Sequence, residues 1–406
     1  MKSVRSVRLM LLLCALFAAT PDSLSASDPS FEYLGHIDMP RIPWDLKVYE
    51  ARRHFGFSRG VFCYIPERNS FLMMGHPYGQ LFAEISNPGP GGQATLLHDF
   101  VDVTQGGVAR QSEKYGEIRL YSLLYDRGRV LVSAEKWYNV SNVTVETHGS
   151  FTPNLDNPRF DGWWRVAGHS GQRTGYYMTR LPDRYVHDGR WLLTGGSLTW
   201  RSSSSPGPCA ILVNPDDAVP GAALRPEELL RYQIGQPFPV PIDFRNPAHR
   251  AVSAFSGCVD GWMGACNVGG VVAVGDRLVF FGKQGKGYDF YGTADDYRRL
   301  TGLSDPGTSK GYFAGPYEAS IWLYSLDALQ RGDRSVIRMP FPWTVAERGD
   351  HDLRNVCRHG NLIYVAEANA KWFGGQDPQP VIHVLKITGL PEEAVQTAEG
   401  HTTASP

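Results

Sequence analysis

The feature of this sequence that most constrains its fold is a recurring pattern of an apolar run, a tight polar turn and a second apolar run. The turns contain Asp-Arg-Gly, Asp-Gly, Gly-Asp and Gly-Asn, which supply the positive φ angles that short hairpin loops require. Each occurrence therefore predicts an antiparallel β-hairpin. The hairpins are centred near Asn69, Arg127, Asp188, Asp276 and Gly360.

The spacing of these hairpins indicates repeated four-stranded units. The intervals from Asp188 to Asp276 and from Asp276 to Gly360 are wider than the first two, and each has room for a further unit. The segments PCAILVNP and SIWLYSLDAL are the candidate strands for those units. The pattern predicts an all-β fold, a β-propeller of seven blades, with six blades as the alternative.

Strand-like segments also stand near both ends of the predicted domain. Residues 31–42 read as an early strand and PVIHVLKI, near the end, as the last strand. Because a propeller often closes by pairing its two ends in one blade, we expect these segments to share a sheet. Helical patterns are scarce, and short helices are predicted only at residues 226–231 and 295–300.

The first residues have the order of a secretory signal. Lys2, Arg5 and Arg8 precede an apolar run over residues 9–19, and small residues follow it. This run is too short to anchor the chain in a bilayer. We predict a signal peptide at residues 1–26, a propeller domain at 27–388 and a disordered polar tail at 389–406. The chain is expected to be secreted, either extracellular or periplasmic, with no membrane partner.

The charge balance excludes nucleic acid as the main partner. The net charge is −1, and 20% of residues are charged. Five cysteines remain once Cys14 leaves with the signal, so at least one thiol has no partner within the chain. Cys258 and Cys266 are the nearest pair, and both a bridge and buried free thiols stay open. We expect a monomer that requires no cofactor, with structural calcium or zinc left open.

Two histidines between residues 135 and 178 suggest a site. His148 lies in Thr-His-Gly and His169 in Gly-His-Ser-Gly, and Arg173 and Tyr176 follow. Imidazole titrates near neutral pH and arginine pairs with carboxylates, so this group suits an anionic, hydroxyl-rich substrate. The alternative is that both histidines are structural and bond to backbone carbonyls.

These residue types suit β-elimination of a uronate-containing polysaccharide. An arginine neutralises the carboxylate and stabilises the enolate-like charge, and a histidine or tyrosine moves the proton. Further basic and aromatic side chains in downstream loops are candidates for binding the substrate. They are Arg245, Tyr288, Tyr291 and Tyr312.

The sequence resembles the seven-bladed β-propeller polysaccharide lyases, which include ulvan lyases and rhamnose–glucuronate lyases. The resemblance rests on the two histidine turns, on Tyr232 within LLRYQIGQPFP, and on an arginine shortly after it. It implies that His148, His169, Tyr232 and Arg250, or Arg245 in its place, are catalytic. The sequence departs from the family pattern near Cys258, where a basic residue is expected. The resemblance implies a secreted lyase that acts on an anionic polysaccharide or oligosaccharide.

Two other functions remain open from the sequence. One is a propeller that binds carbohydrate or protein without catalysis. The other is a glycoside hydrolase, which needs two carboxyl groups across the scissile bond. No such pair stands out in the sequence.

Overall fold

The structure, a computed structural model, is described here for ten segments of the chain. These are residues 28–43, 45–137, 139, 143–196, 207–232, 266–287, 290–304, 311–346, 351–372 and 377–390. The predicted signal peptide and the tail beyond Gly389 and Leu390 lie outside the described residues, as does Cys258.

Five antiparallel sheets are arranged as blades around one axis. Blade 1 contains β2 (Phe62–Ile65), β3 (Ser70–Met74), β4 (Phe82–Ser86) and β5 (Leu96–Val101). Blade 2 contains β6 (Ile118–Asp126), β7 (Arg129–Lys136), β8 (His148–Phe151) and β9 (Phe160–Val166), with β13 (Ala223–Leu224) added in parallel at its edge. Blade 3 contains β10 (Tyr177–Arg180), β11 (Leu192–Gly195), β12 (Ala210–Val213) and β14 (Glu227–Leu230).

The last two blades complete the ring. Blade 4 contains β15 (Asn267–Val274), β16 (Arg277–Gly285), β19 (Tyr317–Ser325) and β20 (Val336–Pro340). Blade 5 contains β21 (Leu353–His359), β22 (Leu362–Lys371), β23 (Gln379–Thr388) and β1 (Ser30–Asp38). A separate hairpin of β17 (Phe290–Gly292) and β18 (Gly311–Phe313) is inserted in blade 4.

The ring closes by pairing the first strand with the last, as predicted. β1 runs antiparallel to β23, from the pair Ser30 and Thr388 to the pair Asp38 and Val381. The innermost strands β2, β6, β10, β15 and β21 contact one another in that order, and β21 contacts β2. This cyclic order leaves no gap for a further blade.

Each blade packs on both of its faces, which explains the nearly continuous apolar runs in the sequence. Five buried clusters fill the five gaps between neighbouring blades. β3, for example, is buried at every position of SFLMM, with Phe71 packed towards blade 5 and Leu72 towards blade 2. The core is therefore a ring of interblade layers.

The prediction of a β-propeller is confirmed, but the number of blades was wrong: there are five, and neither seven nor six. Each of the five hairpins forms the two inner strands of one blade. The segments expected to begin extra blades are instead third strands, β12 of blade 3 and β19 of blade 4. The wide intervals hold long connections within and between blades, which spacing alone does not distinguish from additional sheets.

The described helices are short. They are α1 (Leu46–Glu50), α2 (Gly107–Tyr115), α3 (Gly171–Thr174), α4 (Ala294–Thr301) and α5 (Leu326–Gln330). The helix predicted at 295–300 is confirmed as α4, whereas the helix predicted at 226–231 was wrong, because the edge strand β14 (Glu227–Leu230) lies there. In the described part of the chain, none of the helices has the length and hydropathy needed to cross a membrane.

Candidate functional site

We define the entry face as the end of the central axis at which the five innermost strands begin. The connections between blades reach this end, as do the loops that join the second and third strands of each blade. Loops on a rigid scaffold commonly carry function. The search for a site therefore starts at this face.

The opposite end of the axis contains a cavity of about 350 Å³, but its charges are neutralised within the protein. Arg180 bonds to Asp126 at 3.2 Å, and Arg127 bonds to the same carboxylate at 2.9 Å. Arg358 donates to the carbonyl oxygen of Ala273 at 3.0 Å. These basic groups are bonded within the protein, so they give no indication of a ligand-binding site.

His148 lies within the packing between blades 2 and 3. Its side chain is 0% exposed, and its ring stacks on Trp164 with centroids 4.5 Å apart. Nδ1 lies 2.7 Å from Oγ1 of Thr147, and Nε2 lies 2.8 Å from Oγ1 of Thr194. Burial lowers the pKa of His148 to about 3, so the ring is neutral. Both ring nitrogens are occupied, and this histidine joins β8 to blade 3.

Tyr232 is also buried, between blades 3 and 4, at 0% exposure. Its hydroxyl oxygen lies 2.8 Å from that of Tyr324. Tyr291 and Tyr312 are directly paired in the β17–β18 hairpin. Arg245, Arg250 and Tyr288 fall outside the described residues.

His169 and Arg173 do lie at the entry face, in the connection from blade 2 to blade 3. Nε2 of His169 is 3.3 Å from Oε1 of Glu228, and its buried Nδ1 has no partner. Burial lowers the pKa of His169 despite the nearby carboxylate. The half-buried Arg173 has no ion pair or side-chain hydrogen bond among the described residues, and its Nε atom is shielded from solvent. Among the described members of the predicted group, the structure thus brings together His169 and Arg173, with Tyr176 close to the same connection.

A group of side chains that the sequence did not single out lies nearer the axis. Arg59 precedes β2, and its guanidinium carbon lies 5.1 Å from the ring centre of Trp137 and 5.8 Å from that of Tyr121. Within the described segments it has no hydrogen-bonded or ion-paired acceptor. Burial, together with the positive charge of Arg354, lowers its pKa.

Two more arginines surround this position. Arg119 donates from Nε to Glu117 at 2.6 Å and lies 3.8 Å from the ring centre of Trp137. Arg354 donates to Oδ2 of Asp352 at 2.7 Å, while Oδ1 of Asp352 is shielded from solvent without a partner. The entry face thus holds a cationic, aromatic surface beside a half-satisfied carboxylate.

The aromatic part of this surface includes both exposed and buried rings. Tyr78 is 67% exposed, and the guanidinium of Arg119 lies 5.3 Å from its ring centre. Tyr121 and Tyr176 are buried with centroids 4.2 Å apart. Burial raises the pKa of Tyr176 far above its usual range, so this phenol is neutral.

Glu135, at the end of β7, is a buried carboxylic acid. It is 0% exposed, its Oε1 accepts from Nδ2 of Asn139 at 3.1 Å, and its Oε2 has no partner. Burial raises its pKa to about 8, so it is largely protonated at neutral pH. Gly171 covers it: a Cβ atom there would lie 1.4 Å from Oε2. Only glycine fits at that position.

Position along the strands was the signal that could have revealed these residues. Arg59, Arg119 and Arg354 lie at or just before the start of an innermost strand, so the topology gathers them at one end of the axis. Residue type and neighbouring glycines do not mark these positions. Arginines far apart in sequence look like ordinary surface charges until the blades are arranged in a ring.

Comparisons with known proteins give structural matches only. No protein-family model matches the chain, and neither does any curated protein. A glycosyl hydrolase from Bacteroides ovatus is similar in structure at 10% identity with a TM-score of 0.42, covering 82% of this chain and 84% of that one. The GH43 endo-arabinanase from Bacillus licheniformis matches at 11% identity and a TM-score of 0.39, covering 81% of this chain and 93% of that one.

A third similar structure is an exo-1,5-α-L-arabinanase from a bovine ruminal metagenomic library. It has 11% identity and a TM-score of 0.41, and the match covers 84% of this chain and 95% of that one. At such low identity and TM-score, these likenesses carry no assignment of activity to this chain.

The resemblance to seven-bladed lyases was wrong. The ring has five blades, which does not match the seven-bladed fold of that family. The interpretation as a carbon–oxygen lyase that cleaves uronates by β-elimination is corrected with it. The lyase roles of His148 and Tyr232 depended on that interpretation, and both side chains lie in interblade packing.

Proposed function

We propose that this chain is an exported glycoside hydrolase that binds an acidic glycan at the entry face. The observation that carries the proposal is that Arg59 and Arg173, which have no hydrogen-bonded or ion-paired acceptor among the described residues, lie at the same face as two carboxyl groups in different environments. Binding and reaction depend on different residues.

The unpaired guanidiniums support the acidic glycan. A half-buried arginine without an acceptor has lost hydration without gaining a partner, and a carboxylate or sulfate restores that interaction. Arg59 lies against the rings of Trp137 and Tyr121, and Tyr78 exposes a ring at the same face. Such rings pack against the apolar faces of sugars, so cationic and aromatic groups together suit a glycan with acidic substituents.

The two carboxyl groups support hydrolysis. Glycoside hydrolysis needs a protonated carboxyl to donate to the leaving oxygen and an ionised one to act as base or nucleophile. Burial raises the pKa of Glu135 to about 8, which suits the acid. Asp352 forms an ion pair with Arg354 and is the candidate for the ionised member. Glu135 must become accessible to the substrate, through movement of the segment that contains Gly171.

The second candidate function is binding of the same ligand without catalysis. The specific observation that favours it is the complete burial of Glu135. In that case the carboxyl group would be structural, and the entry face would serve recognition alone.

The test uses uronate-containing oligosaccharides and the same oligosaccharides after reduction of their carboxyl groups. We expect release of reducing ends from the acidic set, without the ultraviolet absorbance of an unsaturated uronate, and at least tenfold slower release from the reduced set. Glu135→Gln should abolish release and keep binding, whereas Arg59→Met should weaken binding. Binding without release by the unmodified protein would favour the second function, and absence of both would refute the proposal.

A further inference from the structure

Three potential metal ligands meet at the seam between the first and last blades. His54 lies in the connection that precedes β2, His76 follows β3, and Asp377 precedes β23. These residues come from three separate segments of the entry face. We call them the seam cluster.

The geometry of the seam cluster fits one small ion. A ligand atom from each residue lies within 4.8 Å of the other two. Nε2 of His54 and Oδ2 of Asp377 are shielded from solvent and have no hydrogen-bond partner. A cavity of about 30 Å³ lies beside them, bordered by Tyr49 and Gly56, and it has room for a single water molecule or ion.

Local structure holds both imidazoles in place. Nδ1 of His54 accepts the backbone N–H of Gly56 at 3.1 Å, and Nδ1 of His76 accepts that of Tyr78 at 3.2 Å. His54 also stacks on Tyr49 with ring centres 4.9 Å apart. These contacts fix the ring planes and leave Nε2 of each histidine for another partner.

We propose that the seam cluster binds one divalent transition-metal ion of the zinc class. Two imidazoles with one carboxylate form a ligand set that zinc favours, whereas calcium and magnesium prefer oxygen ligands. Three protein ligands leave a coordination position for water. Such an ion would connect blade 5 to blade 1 through side chains, at the place where β1 and β23 already connect them through backbone hydrogen bonds.

The groups around the seam cluster affect how well it would bind a cation. Burial lowers the pKa of His76 to about 4 and also lowers that of His54. Asp377 forms a side-chain hydrogen bond with Tyr49, which raises the pKa of that phenol, and a bound ion would share this carboxylate with Tyr49. The guanidinium of Arg52, 5.7 Å from the ring centre of Tyr49, is the nearby opposing charge.

Metal binding also requires a change of tautomer, which supplies a specific signature. While Nδ1 accepts a backbone N–H, the proton of each neutral ring is on Nε2. For an ion to bind at Nε2, the ring must lose that proton and carry one on Nδ1 instead, so the hydrogen bonds from the backbone N–H groups of Gly56 and Tyr78 to Nδ1 are lost. Imidazole nitrogen NMR of the whole protein should therefore show two histidines changing tautomer on addition of zinc.

The experiment measures zinc binding to purified, chelator-treated protein by equilibrium dialysis. We expect one zinc ion per chain, a rise in the midpoint of thermal unfolding, and visible absorption typical of tetrahedral coordination when cobalt replaces zinc. Asp377→Asn and His54→Gln should each weaken zinc binding at least tenfold, since even residues behind the ligands of a metal change affinity by about ten- to a hundredfold.

His187→Gln is the matched control, because it removes a histidine outside the seam cluster. Nε2 of His187 lies 2.6 Å from Oε2 of Glu227. It should bind zinc like the unmodified protein. Circular dichroism of each metal-free variant checks the fold. Failure of the folded protein to bind one zinc ion would overturn the proposal, as would unchanged binding by both cluster variants. The proposal does not depend on the glycan-binding function.

Discussion

At the residue scale, burial decides what each titratable side chain can do. His148 and His169 have similar sequence surroundings, yet one is enclosed by Thr147, Thr194 and Trp164, and the other lies at the entry face. Neighbouring glycines were the reason to group them. Because glycine permits both tight packing and open turns, it could not separate the two environments.

His148 makes stability depend on pH. The pKa of His148 is about 3 in the folded state, lowered from 6.5. The contribution of its neutral ring to the free energy of unfolding is therefore present above pH 6.5 and is lost as pH falls towards 3. This predicts a loss of about 2 kcal/mol between pH 7 and pH 5 from this group. Urea unfolding across this range should give a flatter dependence for His148→Gln, whatever its stability at pH 7.

The control for that measurement is His98→Gln. His98 bonds to the backbone of Asp99 and to Asp156, and its pKa is raised, so its loss should not flatten the slope. An unchanged slope in His148→Gln would contradict the assignment of acid sensitivity to this histidine.

Glu135 has the opposite dependence. Its folded pKa of about 8 exceeds the value of 4.5 expected when unfolded, so the folded state loses stability as pH rises between these values. Glu135→Gln should therefore be more stable at pH 7, by about 1–3 kcal/mol, while having no hydrolytic activity. Thermal unfolding at pH 5 and pH 8 checks this, because the gain should be larger at pH 8. Glu117→Gln, on an exposed side chain paired with Arg119, should show no such gain.

At the scale of the element, the outermost strand β1 closes the ring through both backbone hydrogen bonds and buried side chains. It supplies backbone hydrogen bonds to β23, and it supplies Ile37 to the cluster between blades 5 and 1. Most of its other residues are partly exposed, as expected for an edge strand. The contribution of β1 should therefore be concentrated in a few inward side chains.

Ile37→Ala tests this view of β1. Ile37 is 0% exposed, so truncation should lower the free energy of unfolding by about 2–4 kcal/mol through lost burial and a residual cavity. Leu34→Ala, at 38% exposure on the same strand, should change it by less than about 0.5 kcal/mol. Denaturant midpoints of both variants give the comparison. Equal losses would mean that β1 is not docked in the observed register.

At the scale of the whole molecule, ring closure creates the entry face. Arg59 and Arg173 come from connections between blades, whereas Arg119 and Arg354 lie at the starts of the innermost strands β6 and β21. The cyclic order of innermost strands brings these four arginines to one end. The seam cluster arises in the same way, from loops of blades 1 and 5. Neither grouping exists in any single blade, which is why both depend on complete folding.

The sequence by itself determined the all-β class, the five inner hairpins and the pairing of the two end strands. The hairpins follow from local chemistry, because turn residues act over a few positions, and the pairing of the end strands was expected from the way propellers close. It did not determine the blade number, since a long insertion and an extra sheet leave the same interval between hairpins.

Tertiary structure alone decided which polar residues face the axis and which lie between blades. His148 and Tyr232 have side chains capable of acid–base chemistry but are enclosed, whereas Arg59, which nothing in its local sequence marks, lies at the entry face. The physical reason is that exposure and unmet hydrogen bonding are properties of contacts between distant segments. Such contacts exist only after the five blades have packed into a ring.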